Sequence, residues 1–134
     1  GTSTMTREII LPESDRRAYE DFHFAPAVKA GSIIICSGQL GIGPDGKVPE
    51  SAEEEFRNAW QAVGRILAEA GLTYDHILEF TTFHVGLQAN LATFMKVKDE
   101  FVSEPWPAWT AIGITELAVP GARVEIRVTA SEGD

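Results

Sequence analysis

The alternation near the C-terminus constrains this chain most: Val124, Ile126 and Val128 alternate with Arg123, Glu125 and Arg127. Successive strand side chains point to opposite faces, so this strand has one apolar face and one charged face. A sheet containing it offers its own chain only one face on which to build a core. The span 51–70 supplies the matching layer. Phe56, Trp60, Val63, Leu67 and Ala70 recur at intervals of three and four, forming one apolar stripe of a helix. Ser51 with Glu54 fits a capping box, and Gly71 fits a C-terminal stop. Glu53, Glu54 and Glu55 fall in the first turn, where acids suit the positive end of the helix dipole, and are expected to be solvated.

A second helix is expected over residues 90–102, with a weaker stripe of Leu91, Phe94, Val97 or Lys98, and Phe101. Residues 6–11, 25–29, 33–37, 77–87, 108–115 and 123–129 read as strands, and Pro44-Asp45-Gly46 as a turn. Strands, helix, strand, helix, strands is an α+β order in which two helices cover one face of a mixed sheet. The other face mixes charge with bulky apolar groups such as Trp109, so a second copy of the chain is its expected cover and a homo-oligomer follows. With 134 residues, 44% of them hydrophobic, one core and one domain over 1–134 are expected. Within that span residues 1–5 are expected to be a tag remnant or a disordered lead.

A net charge of −9 argues against a broad phosphate-binding surface, because affinity for nucleic acid comes largely from Lys and Arg. No apolar run approaches the roughly 20 residues that cross a bilayer, and no signal pattern opens the chain. Neither nucleic acid nor membrane is an expected partner. Cys36 is the single cysteine and sits in an apolar run, so it reads as an inert core thiol, with the cytoplasm as default location. His23 and His76 have no companion at metal-ligand spacing, and no metal is assigned. Ser37-Gly38-Gln39 lacks the context of a nucleophile elbow.

The segments Ala27-Val28-Lys29-Ala30-Gly31, Cys36-Ser37-Gly38-Gln39-Leu40, Gly71-Leu72 with residues 77–85, Pro107-Ala108, and Gly121-Ala122-Arg123-Val124-Glu125-Ile126 stand in an order and spacing that resembles the RidA/YjgF family. The resemblance runs from residue 24 to residue 130. It implies a chorismate-mutase-like fold and a homotrimer with small-molecule clefts at the subunit interfaces. It also implies hydrolysis of reactive enamines and imines such as 2-aminoacrylate, without metal or organic cofactor. In that chemistry an Arg directly after the Pro-Ala pair clamps the substrate carboxylate, and a Glu, matched here by Glu125, helps to position or activate water. This chain has Trp109 at the clamp position. An indole offers one neutral donor in place of a two-pronged charged one. Phe24 stands where the archetype has Tyr, followed by Ala25 in place of a polar residue; Met95 replaces an Asn and Ala111 a Cys. Each change removes a polar group from the implied cleft, while Gly38 and Glu125 remain.

Taken alone, Glu125 fits either a cross-strand ion pair with an Arg or a cleft acid whose pKa burial would raise. Trp109 fits either subunit packing or stacking on a planar or cationic ligand. His84 reads as structural and stands as the reserve base. Arg123, Arg127 and Lys29 are the cations that could replace the missing clamp, the first two sharing a face with Glu125. Two functions stay open: a cofactor-free hydrolase or deaminase of a small C=N or enamine compound, not efficient on 2-aminoacrylate, and a non-catalytic ligand-binding or regulatory trimer. Ribonuclease activity, attached to some members of the family, is disfavoured by the acidic charge and the absence of a basic patch or His pair.

Overall fold

The computed structural model describes residues 6–133, and the expectation for residues 1–5 lies outside them. In chain order the elements are β1 (Arg7–Ile10), a 3-10 turn (Glu13–Asp15), α1 (Arg16–Phe22), β2 (Ala27–Ala30), β3 (Ile33–Cys36), β4 (Gln39–Leu40), α2 (Ala52–Glu69), a second 3-10 turn (Tyr74–His76), β5 (Ile77–His84), α3 (Leu87–Lys98), β6 (Ala108–Gly113) and β7 (Val124–Ser131). The strands form one sheet in the order β1-β2-β3-β7-β5-β6, with β4 also on β7. β5 and β6 are parallel, joined by the α3 crossover; the other pairings are antiparallel. This is the expected α+β, chorismate-mutase-like mixed sheet, with α2 and α3 on one face. α1 is a third helix that the sequence reading did not anticipate.

The core lies between that face and the two helices. Val124, Ile126, Val128 and Ala130 of β7 are buried with Ile34, Cys36 and Phe80, against Phe56, Trp60, Val63, Ile66 and Leu67 of α2 and Phe94 and Val97 of α3. Burying one such side chain is worth ~1.5–3 kcal/mol, so α2 is held by its stripe more than by helix propensity. Its ends form as the sequence suggests. Ser51 accepts from the Glu54 N–H at 3.2 Å. At the other end Gly71, at φ +77°, lets its N–H reach Ala68 O and the Leu72 N–H reach Leu67 O, closing a Schellman motif.

The acidic first turn of α2 is not wholly solvated. Glu55 is fully buried and accepts from the Arg123 backbone N–H at 2.7 Å and from its Nη1 at 2.6 Å. Arg123 also donates to the carbonyls of Pro49 and Glu50, so it belongs to the α2–β7 junction despite its place in the strand alternation. α3 begins three residues earlier than expected, because Gly86 at φ +81° ends β5 and opens the helix. α1 buries no residue and is closed by His23 at φ 61°, whose N–H donates to Tyr19 O. With no core-facing stripe it left no periodic signal.

Candidate functional site

β3 and β4 both run beside β7, with Ser37 and Gly38 breaking the line between them. The break is fixed by Ser37, whose N–H donates to Pro26 O at 2.8 Å and whose hydroxyl donates to Ala25 O at 2.7 Å. It brings Gly38 against Glu125. A Cβ on Gly38 would lie 2.5 Å from Glu125 Cδ, so the carboxyl keeps its place only because residue 38 has no side chain. Leu40 and Phe83 are the cross-strand neighbours of Glu125. The carboxyl is half-buried on the face away from α2 and α3, and burial pushes it above its ordinary value of 4.5. Among the described residues it has no hydrogen-bond or ion-pair partner. The cross-strand ion pair is therefore not formed: Arg123 is committed to Glu55, and Arg127 is exposed and unpaired among the described residues.

Trp109 and Ala111 belong to the other face. Trp109 pairs in register with Phe80, which faces Val128, and Ala111 pairs with Thr82, which faces Ile126. The indole is half-buried, stacked on Phe80 with centroids 5.5 Å apart, and its Nε1 donates to Thr82 Oγ1 at 2.9 Å. Its cation–π partner is internal: Lys98 Nζ lies 5.3 Å from the Trp109 ring and 5.2 Å from that of Trp106, with Asp99 at 3.0 Å. Met95, three residues before Lys98 on α3, is 43% exposed.

His84 lies in the core on this same helix side. Its Nε2 is 2.7 Å from Thr82 Oγ1, its Nδ1 has no partner among the described residues, and its ring meets Phe94 edge-on at 4.8 Å. Burial lowers its pKa to about 4, which leaves it neutral near pH 7. The reserve base is thus placed away from Glu125, on the opposite face of β5 and β7.

Within one chain the structure brings Gly38 and Glu125 together and turns Trp109 and Ala111 to the opposite face. Phe24 is 51% exposed and follows α1, one residue before the carbonyl that anchors Ser37. Of the cations named from the sequence, Lys29 pairs with Glu132 at 2.6 Å and Arg123 with Glu55, leaving Arg127. Sequence reasoning missed Thr82, which links Trp109 to His84. Its parity with His84 in the strand was the available signal. It also missed the position of Lys98 beside two tryptophans. Cys36 is buried and its thiol is pushed up to about 11, as suits an inert core group. Among the described residues no cluster of His, Cys, Asp and Glu could hold a metal ion, and no helix is long and apolar enough to cross a membrane.

Residues 17–132 match the sequence model of the Endoribonuclease L-PSP family. The RutC family protein YjgH of Escherichia coli (strain K12) is 34% identical over 125 residues, covering 92% of this chain and 94% of that protein. A 2-iminobutanoate/2-iminopropanoate deaminase of Bos taurus is 32% identical over 136 residues, covering 98% and 94%. A solved structure of protein YJGH superposes with a TM-score of 0.85 at 32% identity, over 96% of this chain and 98% of that one. YyfA of Yersinia pestis, a Rid-family protein of unknown function, gives 0.83 at 26% identity, over 94% and 99%. With the family matched along most of its length, this chain belongs to the Endoribonuclease L-PSP, or RidA/YjgF, family.

Proposed function

We propose that this protein binds a small electrophilic molecule in clefts between the subunits of a homotrimer, and that Glu125 serves there as general acid and base in cofactor-free hydrolysis of an imine or enamine. The observation that carries this reading is the Glu125 carboxyl itself: half-buried, unpartnered among the described residues, seated against Gly38 and raised in pKa by burial. An unpaired acid whose pKa burial has raised holds its proton more readily than a solvated one and can both give a proton and take one back. Glu125 donates its proton to the imine nitrogen as water bonds to the carbon, and its carboxylate recovers a proton from the added water. Collapse of the carbinolamine breaks the C–N bond, releasing ammonia and leaving the carbonyl. The printed activity of the Bos taurus relative, an iminobutanoate and iminopropanoate deaminase, is of this class.

The opposed faces of Glu125 and Trp109 suit a cleft built from two half-sites. Gly38, Glu125 and Phe24 would come from one subunit, and Trp109, Ala111 and Met95 from its neighbour. Light scattering checks this assembly: a trimer is expected at micromolar concentration, and a monomer would dissolve the two-subunit cleft.

One observation favours a second reading, a binding or regulatory trimer without chemistry. The Trp109 N–H is already engaged by Thr82, and Phe24, Met95 and Ala111 bring no charged group to the cleft. The same absence predicts poor turnover of 2-aminoacrylate, whose carboxylate is its main handle. Keto-acid release from freshly generated imino acids and 2-aminoacrylate, on wild type and Glu125→Gln, separates the readings. An enzyme loses turnover in Glu125→Gln, whereas a binder shows none in either form. Turnover of 2-aminoacrylate equal to that of an Arg-bearing relative would contradict the expected deficit. Trp109→Arg is a weaker test, since it also removes the ring that stacks on Phe80.

A further inference from the structure

Resting on the hydrolytic reading of Glu125, we infer the class of substrate that the cleft takes: a neutral imine with an apolar body of benzyl size and no carboxylate. The cation beside the Trp109 half-site is already engaged. Lys98 Nζ lies 5.3 Å from the Trp109 ring and 5.2 Å from the Trp106 ring, with Asp99 Oδ1 at 3.0 Å. Its side chain is only 12% exposed, so the ammonium has to leave two indoles and a carboxylate before it can meet an anion. The Trp109 N–H is engaged as well, by Thr82 Oγ1 at 2.9 Å.

Among the described residues the Glu125 half-site has no cation to give to an anion either. Arg123 is held by Glu55 and Lys29 by Glu132. Arg127 shares the face of Glu125 two residues along β7, yet burial alone moves the Glu125 carboxyl, and moves it upward. A guanidinium within about 4–6 Å would pull it down, so Arg127 stands too far away to share a bound anion with it. A 2-imino acid carries its carboxylate on the same carbon that water attacks. It would bring a second negative charge within roughly 4–6 Å of Glu125, with nothing to offset the repulsion. A neutral imine brings none.

Both half-sites do offer apolar surface. Met95 lies one turn before Lys98 on α3 and the Trp106 ring lies over its ammonium; they are 43% and 57% exposed, and Phe24 in the other half-site is 51% exposed. A phenyl ring set against such groups gains binding from burial and ring contacts instead of from charge. The net charge of −9 acts in the same direction, since its field disfavours an anionic substrate relative to a neutral one. Hydrolysis of such an imine needs no reactant besides water. The water oxygen bonds to the imine carbon, the nitrogen takes the Glu125 proton, and loss of ammonia from the carbinolamine leaves an aldehyde.

Two imines that differ by the carboxylate alone test the class on the full chain. 2-Phenylethanimine is generated from 2-phenylethylamine by a flavin amine oxidase, and 2-imino-3-phenylpropanoate from L-phenylalanine by a flavin amino-acid oxidase. Hydrolysis is followed as the loss of semicarbazide trapping. The wild type is expected to accelerate the neutral imine with a kcat/KM about tenfold or more above that for the imino acid, the scale of one charged contact, and Glu125→Gln to lose the acceleration. Equal or faster turnover of the imino acid, abolished in Glu125→Gln, overturns the substrate class and leaves the hydrolytic reading of Glu125 standing. Acceleration of neither imine overturns the hydrolytic reading itself. The stable analogues phenylacetamide and phenylacetate decide the class independently of turnover. Calorimetry should show the neutral amide binding about tenfold or more tighter, and phenylacetate binding as well or better overturns it.

Discussion

On the helix side of the sheet Glu55 is fully buried, and both of its carboxylate oxygens are taken by Arg123, one by the backbone N–H and one by the guanidinium. On the other side Glu125 is half-buried beside Leu40 and Phe83 with no partner among the described residues. A single residue, Val124, separates Arg123 from Glu125, yet Glu55 is fully satisfied by the first of them and Glu125 is left open. A buried charge with its hydrogen bonds made fixes how α2 docks on the sheet and has nothing left to offer a substrate. A half-buried acid without partners adds little to stability and keeps its hydrogen-bonding capacity open. Glu55 holds the fold, whereas the Glu125 carboxyl is left without a partner among the described residues.

The largest effect should come from breaking the satisfied acid. Arg123→Ala leaves Glu55 buried without its cation, held only by the residue-123 backbone N–H, and should cost about 3–5 kcal/mol in urea unfolding. Glu55→Gln should cost less, because the Arg123 side chain is 29% exposed and can turn to water. A loss from Arg123→Ala no greater than that of an ordinary surface change would put Glu55 in contact with solvent and erase the contrast with Glu125.

A smaller effect is expected at Thr82, which satisfies two buried groups on the helix side. Thr82→Val leaves the Trp109 Nε1 and the His84 ring without their shared partner, at a cost of ~1–3 kcal/mol. Tryptophan fluorescence should shift with it, since the Trp109 indole loses its fixed hydrogen bond.

A further effect, confined to acid pH, is carried by His84. Its folded pKa is lowered to about 4 from 6.5, so the unfolded chain binds this proton first. The stability it contributes is fully present above 6.5 and is lost as pH falls through the folded value. His84→Asn should flatten the slope of stability against pH in that window by up to one proton. An unchanged slope would mean that the ring is not held neutral in the core.

Much of this fold was legible because its central elements repeat. The alternation in β7 and the stripe of α2 each name their buried face, and both faces are buried as read. α1 was invisible because nothing in it meets the core, and β4 because two residues cannot show a period. α3 was set late because Gly86 and Asn90 carry similar boundary signals; the helix starts after the glycine, and the Asn90 side chain donates back to Gly86 O. The site was less legible. Gly38 and Glu125 came from the family resemblance, and the reason for the glycine appears only in three dimensions, where a Cβ would strike the carboxyl. The faces of Trp109 and His84 depend on the register of β5 against β6 and β7, which no single strand encodes. The Glu55–Arg123 pair joins residues 68 apart in sequence, beyond the reach of any local pattern.

The openness of Glu125 can be read directly by following its side-chain carboxyl carbon by NMR as a function of pH, assigned by comparison with Glu125→Gln. Burial without a cationic partner requires a midpoint above the ordinary 4.5 in the native protein. A midpoint at or below 4.5 would show Glu125 to be solvated or paired with a cation, and would contradict its role as the open acid of the site.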